Sequence, residues 1–174
     1  ALGVLYSLGP VKLSTIGLGE SAVAVAFGVL PVTGAAWLQG ATIDLTLSRV
    51  SLPISAWVAA IRRVNEVPDL AADGACGKNT LPVRLGIGGT ANLYLILHIV
   101  AAAIVVLLTV QGRLPLLAPL VPVGLLVLAF NAAQGIRGGM DDRAAMTKSI
   151  EATLGIHTIG CLWLAGCALY GVWF

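Results

Sequence analysis

The densest group of reactive side chains lies in residues 65–86, which read NEVPDLAADGACGKNTLPVRLG. Asn65, Asp69 and Asp73 follow one another at intervals of four, so on a helix they would stack on one face. Pro68 lacks an N–H and suits the first turn of a short helix, with Asp69 near its start. The spacing therefore predicts two carboxylates one turn apart on a short helix, which a glycine at 74 or 77 ends.

Carboxylates at this spacing repel each other, and a cation beside them relieves the repulsion. Mg²⁺ binds a few carboxylates and completes its octahedron with water and phosphate oxygens. Lys78 and Arg84 follow closely and can hold further negative charge on a phosphate. Together these groups predict a diphosphate site at a membrane surface. For a lone Asp-x-x-x-Asp pair, a charged loop that only sets topology is the more common explanation.

The elements that must position these residues are membrane helices. Hydrophobic residues make up 58% of the 174 residues, charged residues make up 10%, and the mean hydropathy is +0.96. A soluble domain averages roughly 25% charged residues, so most of this protein's surface must face lipid. The formal net charge of +2 is too small to indicate a nucleic-acid partner.

Five segments are long and apolar enough, or nearly so, to cross a hydrocarbon core of about 30 Å, which takes roughly 20 helical residues. They are residues 18–38, 51–65, 88–110, 114–135 and 152–173. The second of these segments is short and opens at Pro53, and residues 1–6 read like the end of another helix. We therefore predict one all-α integral membrane domain over residues 1–174, with about five transmembrane helices.

The basic residues predict how the bundle is oriented. If the loop at 62–87 is cytoplasmic, alternation places the loops at 7–17 and 136–151 on the same side, which then holds eight of the ten Lys and Arg residues. Arg49 and Arg113 are the two on the other side. Because cytoplasmic loops carry an excess of Lys and Arg, we expect residues 66–87 to form a cytoplasmic, Asp-rich loop.

Residues 65–86 resemble the second aspartate-rich motif of UbiA-type prenyltransferases. The likeness is closest to the quinone-pathway branch that prenylates 1,4-dihydroxy-2-naphthoate, which reads Asn-Glu-x-Pro-Asp-x-x-Ala-Asp and then Gly-Lys-x-Thr-Leu-x-Val-Arg-Leu-Gly. Residues 6–20, YSLGPVKLSTIGLGE, are similar to a Tyr-x-x-Gly-Pro-x-x-Leu-x-x-x-Gly-x-Gly-Glu loop between the family's fourth and fifth helices. The two motifs occur in family order, and the last two helices match only in hydropathy.

The resemblance implies a bundle of nine helices around a cavity that opens sideways to lipid, of which this chain would supply the fifth to the ninth. It also implies an enzyme of the bacterial inner membrane that moves a polyprenyl group from its diphosphate to an aromatic acceptor. By resemblance, Asp69 and Asp73 are catalytic and hold Mg²⁺ on the diphosphate. The family's substrate-binding positions correspond to Asn65, Lys78, Arg84, Tyr6 and Lys12.

One family motif has no counterpart in this sequence. Family members carry a first motif, Asn-x-x-x-Asp-x-x-x-Asp, earlier in the chain, whereas here Asp44 stands alone. Asp141 and Asp142 lack that spacing and are better explained as part of a solvated loop. Three origins are open for the missing half: a preceding segment, a separate chain, or none at all. Because Ala1 is not a start residue and reads as if inside a helix, we expect a preceding segment to supply it.

Two readings of the function follow from this departure. In the first, the chain is part of an Mg²⁺-dependent aromatic prenyltransferase, and the 174 residues alone do not catalyse transfer. In the alternative, the chain is a catalytically inactive relative that serves as a structural subunit of a larger membrane complex.

Two histidines, His98 and His157, fall within predicted membrane spans. A polar group within lipid is a functional candidate because it is costly to place there. A hydrogen bond to a neighbouring helix is the more common explanation for such a residue. We therefore predict packing roles for both histidines.

Overall fold

The computed structural model describes Tyr6 and residues 18–173, and every regular element among these residues is a helix. The first helix, α1, begins as Gly19–Ala24, passes through a π-helical turn at Val25–Val29 and continues as Leu30–Leu38. It is followed by α2 (Leu45–Glu66), the short α3 (Leu70–Ala75), α4 (Leu81–Val110), α5 (Leu120–Gly138) and α6 (Arg143–Trp173). A 3₁₀ turn, Gly139–Asp142, joins α5 to α6.

Helices α1, α4, α5 and α6 lie in stretches that are long and apolar enough to cross a membrane. Three stretches of the described residues are long and apolar enough to cross a bilayer: Ser21–Leu38, Leu81–Val110 and Leu120–Tyr170. The last stretch includes both α5 and α6, whereas α2 has the length but contains several serines and arginines. Large apolar side chains such as those of Leu107 and Leu162 are exposed along the bundle. The protein is an all-α integral membrane protein, and residues 18–173 contain five long helices.

Helix α2 begins earlier than the sequence predicted. Asp44 Oδ1 accepts a hydrogen bond from Leu47 N at 2.7 Å and caps the helix, which therefore starts at Leu45 and runs for 22 residues. An aspartate at this position satisfies an N–H that the first turn leaves unpaired. Pro53 consequently lies inside the helix and does not open it.

A break divides α4 into a short loop-side turn and a membrane-crossing part. Gly86 has φ 67° and ψ 178°, a left-handed φ that a residue with a side chain rarely adopts. The Thr90 hydroxyl donates to the Gly86 carbonyl at 2.7 Å. The crossing part therefore begins just after Gly86, close to the start predicted for the span at 88–110.

The last two helices also differ from the predicted spans at their starts. Helix α5 begins at Leu120 and not at 114, with Pro119 at its N-cap. Helix α6 begins at Arg143 and not at 152. Its first turns contain polar residues such as Lys148, so hydropathy alone places the start of this helix too late.

Glycines allow close packing of α2 against its neighbours. A Cβ on Gly28 of α1 would lie 2.5 Å from Ser55 Cα, and a Cβ on Gly160 of α6 would lie 2.5 Å from Trp57 Cη2. Small residues at helix contacts let backbones approach closely in membranes. Helix α2 is therefore held between α1 and α6, which fixes where its last turns lie.

Candidate active site

An open cavity of about 620 Å³ lies beside the second half of α2. Its lining has a polar mouth and an apolar wall. The polar mouth consists of Arg62, Asn65, Glu66 and Asp69, and the apolar wall consists of Val23, Phe27, Val58 and Ile61. His157 of α6 completes the lining. This division suits a ligand with one charged end and one apolar end.

Helix α3 carries the two predicted carboxylates. Asp69 occupies its N-cap position and is exposed, and Asp73 N donates to Asp69 O at 2.8 Å. The two residues are therefore one helical turn apart. Gly77 follows the helix with φ 71°. The predicted short helix after Pro68 is confirmed, as is its end between 74 and 77.

The nearest basic residue is in direct contact with one of these carboxylates. Lys78 Nζ donates to Asp73 Oδ1 at 2.5 Å. The Asp73 side chain is only 13% exposed, whereas that of Lys78 is 46% exposed. The hydrogen bond to Asp73, and then its negative charge, raise the pKa of Lys78 above its usual value. Lys78 is therefore a firmly protonated cation beside the α3 carboxylates.

Arg62 joins three parts of the chain at the polar mouth. Its Nη1 donates to Tyr6 Oη, and its Nη2 lies 2.5 Å from Glu66 Oε1. Its guanidinium carbon is 5.4 Å from the centre of the Tyr6 ring. A Cβ on Gly19 would lie 2.9 Å from Arg62 Nη2, so a glycine gives the guanidinium room at the start of α1. These contacts hold Tyr6 and α1 against the last turns of α2.

The predicted site residues are only partly brought together. Asn65 and Asp69 line the polar mouth, whereas Asp73 and Lys78 pair on the following turn and are not among its lining residues.

Three other predicted site residues, Tyr6, Arg84 and Lys12, are not among the residues that line the polar mouth in the part of the chain that the structure describes. Tyr6 reaches it through Arg62. Arg84 Nε donates to Asn79 Oδ1 at 3.0 Å, at the start of α4. Lys12 lies outside the described residues.

The oxygen groups at this site fit Mg²⁺ bound together with a phosphate. In the described part of the chain, no three His, Cys, Asp or Glu residues come together as a metal cluster. Mg²⁺ commonly uses one or two carboxylates and fills its other positions with water and substrate phosphates. Asp69 and Asp73 provide that number of carboxylates, and Asn65 provides an amide oxygen on the preceding turn of α2.

Sequence reasoning did not select Arg62, Glu66 or His157 as residues of this site. Arg62 and Glu66 are spaced four apart on either side of Asn65, and that spacing is the signal that could have found them. The packing role predicted for His98 is confirmed, because its Nδ1 lies 2.9 Å from Tyr94 O and the ring is buried. His157 instead lines the cavity and is half-buried.

The fold and the cavity define a class of protein: a helical membrane protein with an apolar cavity whose mouth carries both acidic and basic side chains. The chain belongs to the UbiA prenyltransferase family, whose sequence model matches residues 1–150.

Individual relatives match different shares of the chain. The 1,4-dihydroxy-2-naphthoate octaprenyltransferase of Haemophilus influenzae is 35% identical over 83 residues, which are 48% of this chain and 27% of the relative. The protein of the same name from Mycobacterium tuberculosis is 30% identical over 169 residues, 96% of this chain and 56% of the relative. UbiA prenyltransferase domain-containing protein 1 of Dictyostelium discoideum is 30% identical over 100 residues, 58% of this chain and 30% of the relative.

The chain thus spans little more than half the length of these relatives at most. No solved structure matches the chain.

Proposed function

We propose that this chain forms the second aspartate-rich side of a prenyltransferase site. The reaction is the transfer of a polyprenyl group from its diphosphate to an aromatic acceptor in quinone biosynthesis. The observation that carries the proposal is the position of Asp69 at the polar mouth of a cavity with an apolar wall. The names of the bacterial relatives support the same reaction.

The cavity orients an amphiphilic substrate. The diphosphate lies at the polar mouth, beside Asn65 and Asp69, and the first part of the prenyl chain lies along the apolar wall. Phe27 of α1 and Val58 of α2 both line this part of the cavity. An apolar lining also keeps water from the allylic carbon that becomes electron-deficient as the diphosphate leaves.

Asp69 and Asp73 are the proposed catalytic and metal-binding residues, with Asn65 beside them. A bound Mg²⁺ would supply positive charge that offsets the charge of the leaving diphosphate. Lys78 adds a cation at the same turn, and its contact with Asp73 keeps it protonated. The other proposed substrate-binding residues are Arg84, Tyr6 and Lys12.

The proposal includes an orientation in the membrane. Residues 66–87 form a cytoplasmic loop of a single membrane domain in the bacterial inner membrane, as the distribution of Lys and Arg residues indicates. Asn79 and Gly112 are both exposed, and they lie at opposite ends of α4. Cysteines at these two positions should react with impermeant reagents from opposite sides, and reaction of both from one side would contradict the orientation.

A hybrid enzyme tests the proposed reaction. In the hybrid, this chain replaces the matching 169 residues of the Mycobacterium tuberculosis relative. With Mg²⁺, a prenyl diphosphate and 1,4-dihydroxy-2-naphthoate, the hybrid should form prenylated product, which mass spectrometry detects. Asp69→Asn should abolish the product, whereas the matched control Asp141→Asn should not.

The chain by itself should form no product, because its sequence holds only one of the two aspartate-rich motifs. A hybrid that is folded and monodisperse but inactive would count against the proposed reaction. Product from the 174 residues alone would overturn the assignment of half a site to this chain.

A further inference from the structure

One polar side chain lies in the lining beyond the polar mouth. His157 is half-buried, and among the lining residues that the structure describes it alone comes from α6. The other lining residues beyond the mouth, such as Phe27 and Val58, are apolar. An imidazole at this position can donate or accept one hydrogen bond within an otherwise apolar part of the cavity.

Helix contacts set the depth of His157. Helices α2 and α6 run in opposite directions, and Gly160 packs against the Trp57 ring. Because His157 comes three residues before Gly160, it lies about 4.5 Å nearer the mouth than that contact, near the level of Ala60 and Ile61. From Ile61 to Glu66 the helix rises by about 8 Å. His157 therefore lies about one and a half helical turns deeper in the bundle than Glu66.

The two intramembrane histidines differ in what lies beside the ring nitrogen that has no partner. His98 Nδ1 lies 2.9 Å from a backbone carbonyl, that of Tyr94, and its Nε2 is buried without a hydrogen-bond partner among the described residues. His157 Nε2 lies 3.7 Å from Cys161 Sγ, a weak partner, and its Nδ1 has no hydrogen bond to any described residue. A polar ring at membrane depth is costly unless a partner satisfies it. The cavity beside His157 is where a ligand can supply that partner.

We propose that His157 is an acceptor-binding residue, which forms a hydrogen bond to a hydroxyl or carbonyl oxygen of the aromatic acceptor. The inference rests on the proposed prenyl transfer. The reacting prenyl carbon is bonded to the diphosphate and so lies close to the mouth. The acceptor ring must meet that carbon, and a ring directed inward brings its far oxygen towards His157. The residue orients the ring and moves no proton.

Binding measurements on the 174-residue chain in lipid nanodiscs test this role. The probes are 1,4-dihydroxy-2-naphthoate and, separately, inorganic diphosphate with Mg²⁺, each titrated by calorimetry. His157→Ala should weaken naphthoate binding about five- to tenfold, the effect of one lost hydrogen bond. It should leave diphosphate binding within twofold of the wild type. His157→Gln keeps a hydrogen-bonding group and should recover most of the affinity.

His98→Ala is the matched control, since His98 is intramembrane but does not line the cavity. Equal naphthoate affinity in the wild type and His157→Ala would overturn the inference. So would an equal loss in His98→Ala, or a wild type that does not bind the naphthoate. Failure of the proposed function gives a different result: Mg²⁺-dependent diphosphate binding that is absent, or that persists in Asp69→Asn.

Discussion

Two pairs of aspartates lie at the same end of the helix bundle, in different surroundings. Asp69 and Asp73 belong to α3, which follows the end of α2. Asp141 and Asp142 belong to the 3₁₀ turn that follows the end of α5. Because α4 and α6 both leave from this end, the two acidic turns share one side of the membrane.

What differs is the use made of the carboxylate oxygens. Asp142 Oδ1 accepts a hydrogen bond from Ala145 N at 3.0 Å and caps α6. Asp69 stands at the N-cap of α3, but its side chain makes no capping hydrogen bond, and it lines the cavity. A carboxylate that already satisfies a helix end stabilises the fold, whereas one directed at a cavity can bind a ligand. Position relative to helix ends and cavities therefore separates the two pairs, although their charge is the same.

The largest expected effect concerns turnover. In the hybrid enzyme, Asp73→Asn should lower product formation at least a hundredfold, because it removes one of the two carboxylates proposed to hold Mg²⁺. A hundredfold corresponds to about 2.7 kcal/mol of transition-state stabilisation. Asp142→Asn should stay within twofold of the parent hybrid. Equal losses in the two variants, measured by product formation under saturating substrates, would remove the distinction between the acidic turns.

The second effect concerns the cavity that only one acidic turn adjoins. A Cβ on Gly28 would lie 2.5 Å from Ser55 Cα, so Gly28→Ala should push α1 away from α2. Overpacking of this kind costs about 1–3 kcal/mol, and thermal unfolding in detergent measures it. Gly34→Ala in the same helix is the control, because its added Cβ would meet nothing within 4 Å. Equal melting temperatures for the two variants would contradict the close α1–α2 contact.

A third experiment isolates the capping role of the other acidic turn. Asp142→Ala removes the oxygen that accepts from Ala145 N and should destabilise the protein by about 1 kcal/mol. Diphosphate binding should not change. If the variant kept its full stability but bound Mg²⁺ and diphosphate more weakly, the result would contradict the capping role of Asp142 and indicate a ligand-binding role for the 3₁₀ turn.

The smallest effect is a titration shift. Asp73 raises the pKa of Lys78 through a hydrogen bond and its charge. The stabilisation from this pair is therefore complete below the unfolded lysine pKa and is lost only as pH rises through the folded pKa. In Asp73→Asn the Lys78 pKa should fall back towards its usual value, which NMR of a labelled lysine measures. An unchanged titration midpoint would show that the contact is absent in solution.

The sequence predicted the parts of the fold that depend on local patterns. Apolar runs placed the five long helices, and Pro68 followed by two glycines predicted α3. The predicted starts of α2 and α6 failed because polar residues continue these helices beyond the bilayer core. Asp44 caps α2 well before its apolar part begins, and Lys148 lies within α6 although it precedes the predicted span.

The composition of the cavity depended on tertiary packing and was only partly predictable. The resemblance directed attention to Asp69 and Asn65, which do line the polar mouth. Arg62 entered the site because a glycine at the start of α1 leaves room for it. His157 entered because Gly160 fixes the position of α6 against α2. The sequence of α6 has no periodicity that predicts which face of the helix lines the cavity.

The most direct test of the central claim compares Mg²⁺-dependent diphosphate binding at the two acidic turns. Inorganic diphosphate would be titrated into the 174-residue chain in nanodiscs, with and without Mg²⁺, for the wild type and two double variants. We expect Mg²⁺ to promote binding in the wild type and in Asp141→Asn/Asp142→Asn. Binding should fall at least tenfold in Asp69→Asn/Asp73→Asn, because charge-assisted contacts contribute about 1.5–3 kcal/mol each. Equal binding by both double variants would contradict the placement of the diphosphate at the polar mouth.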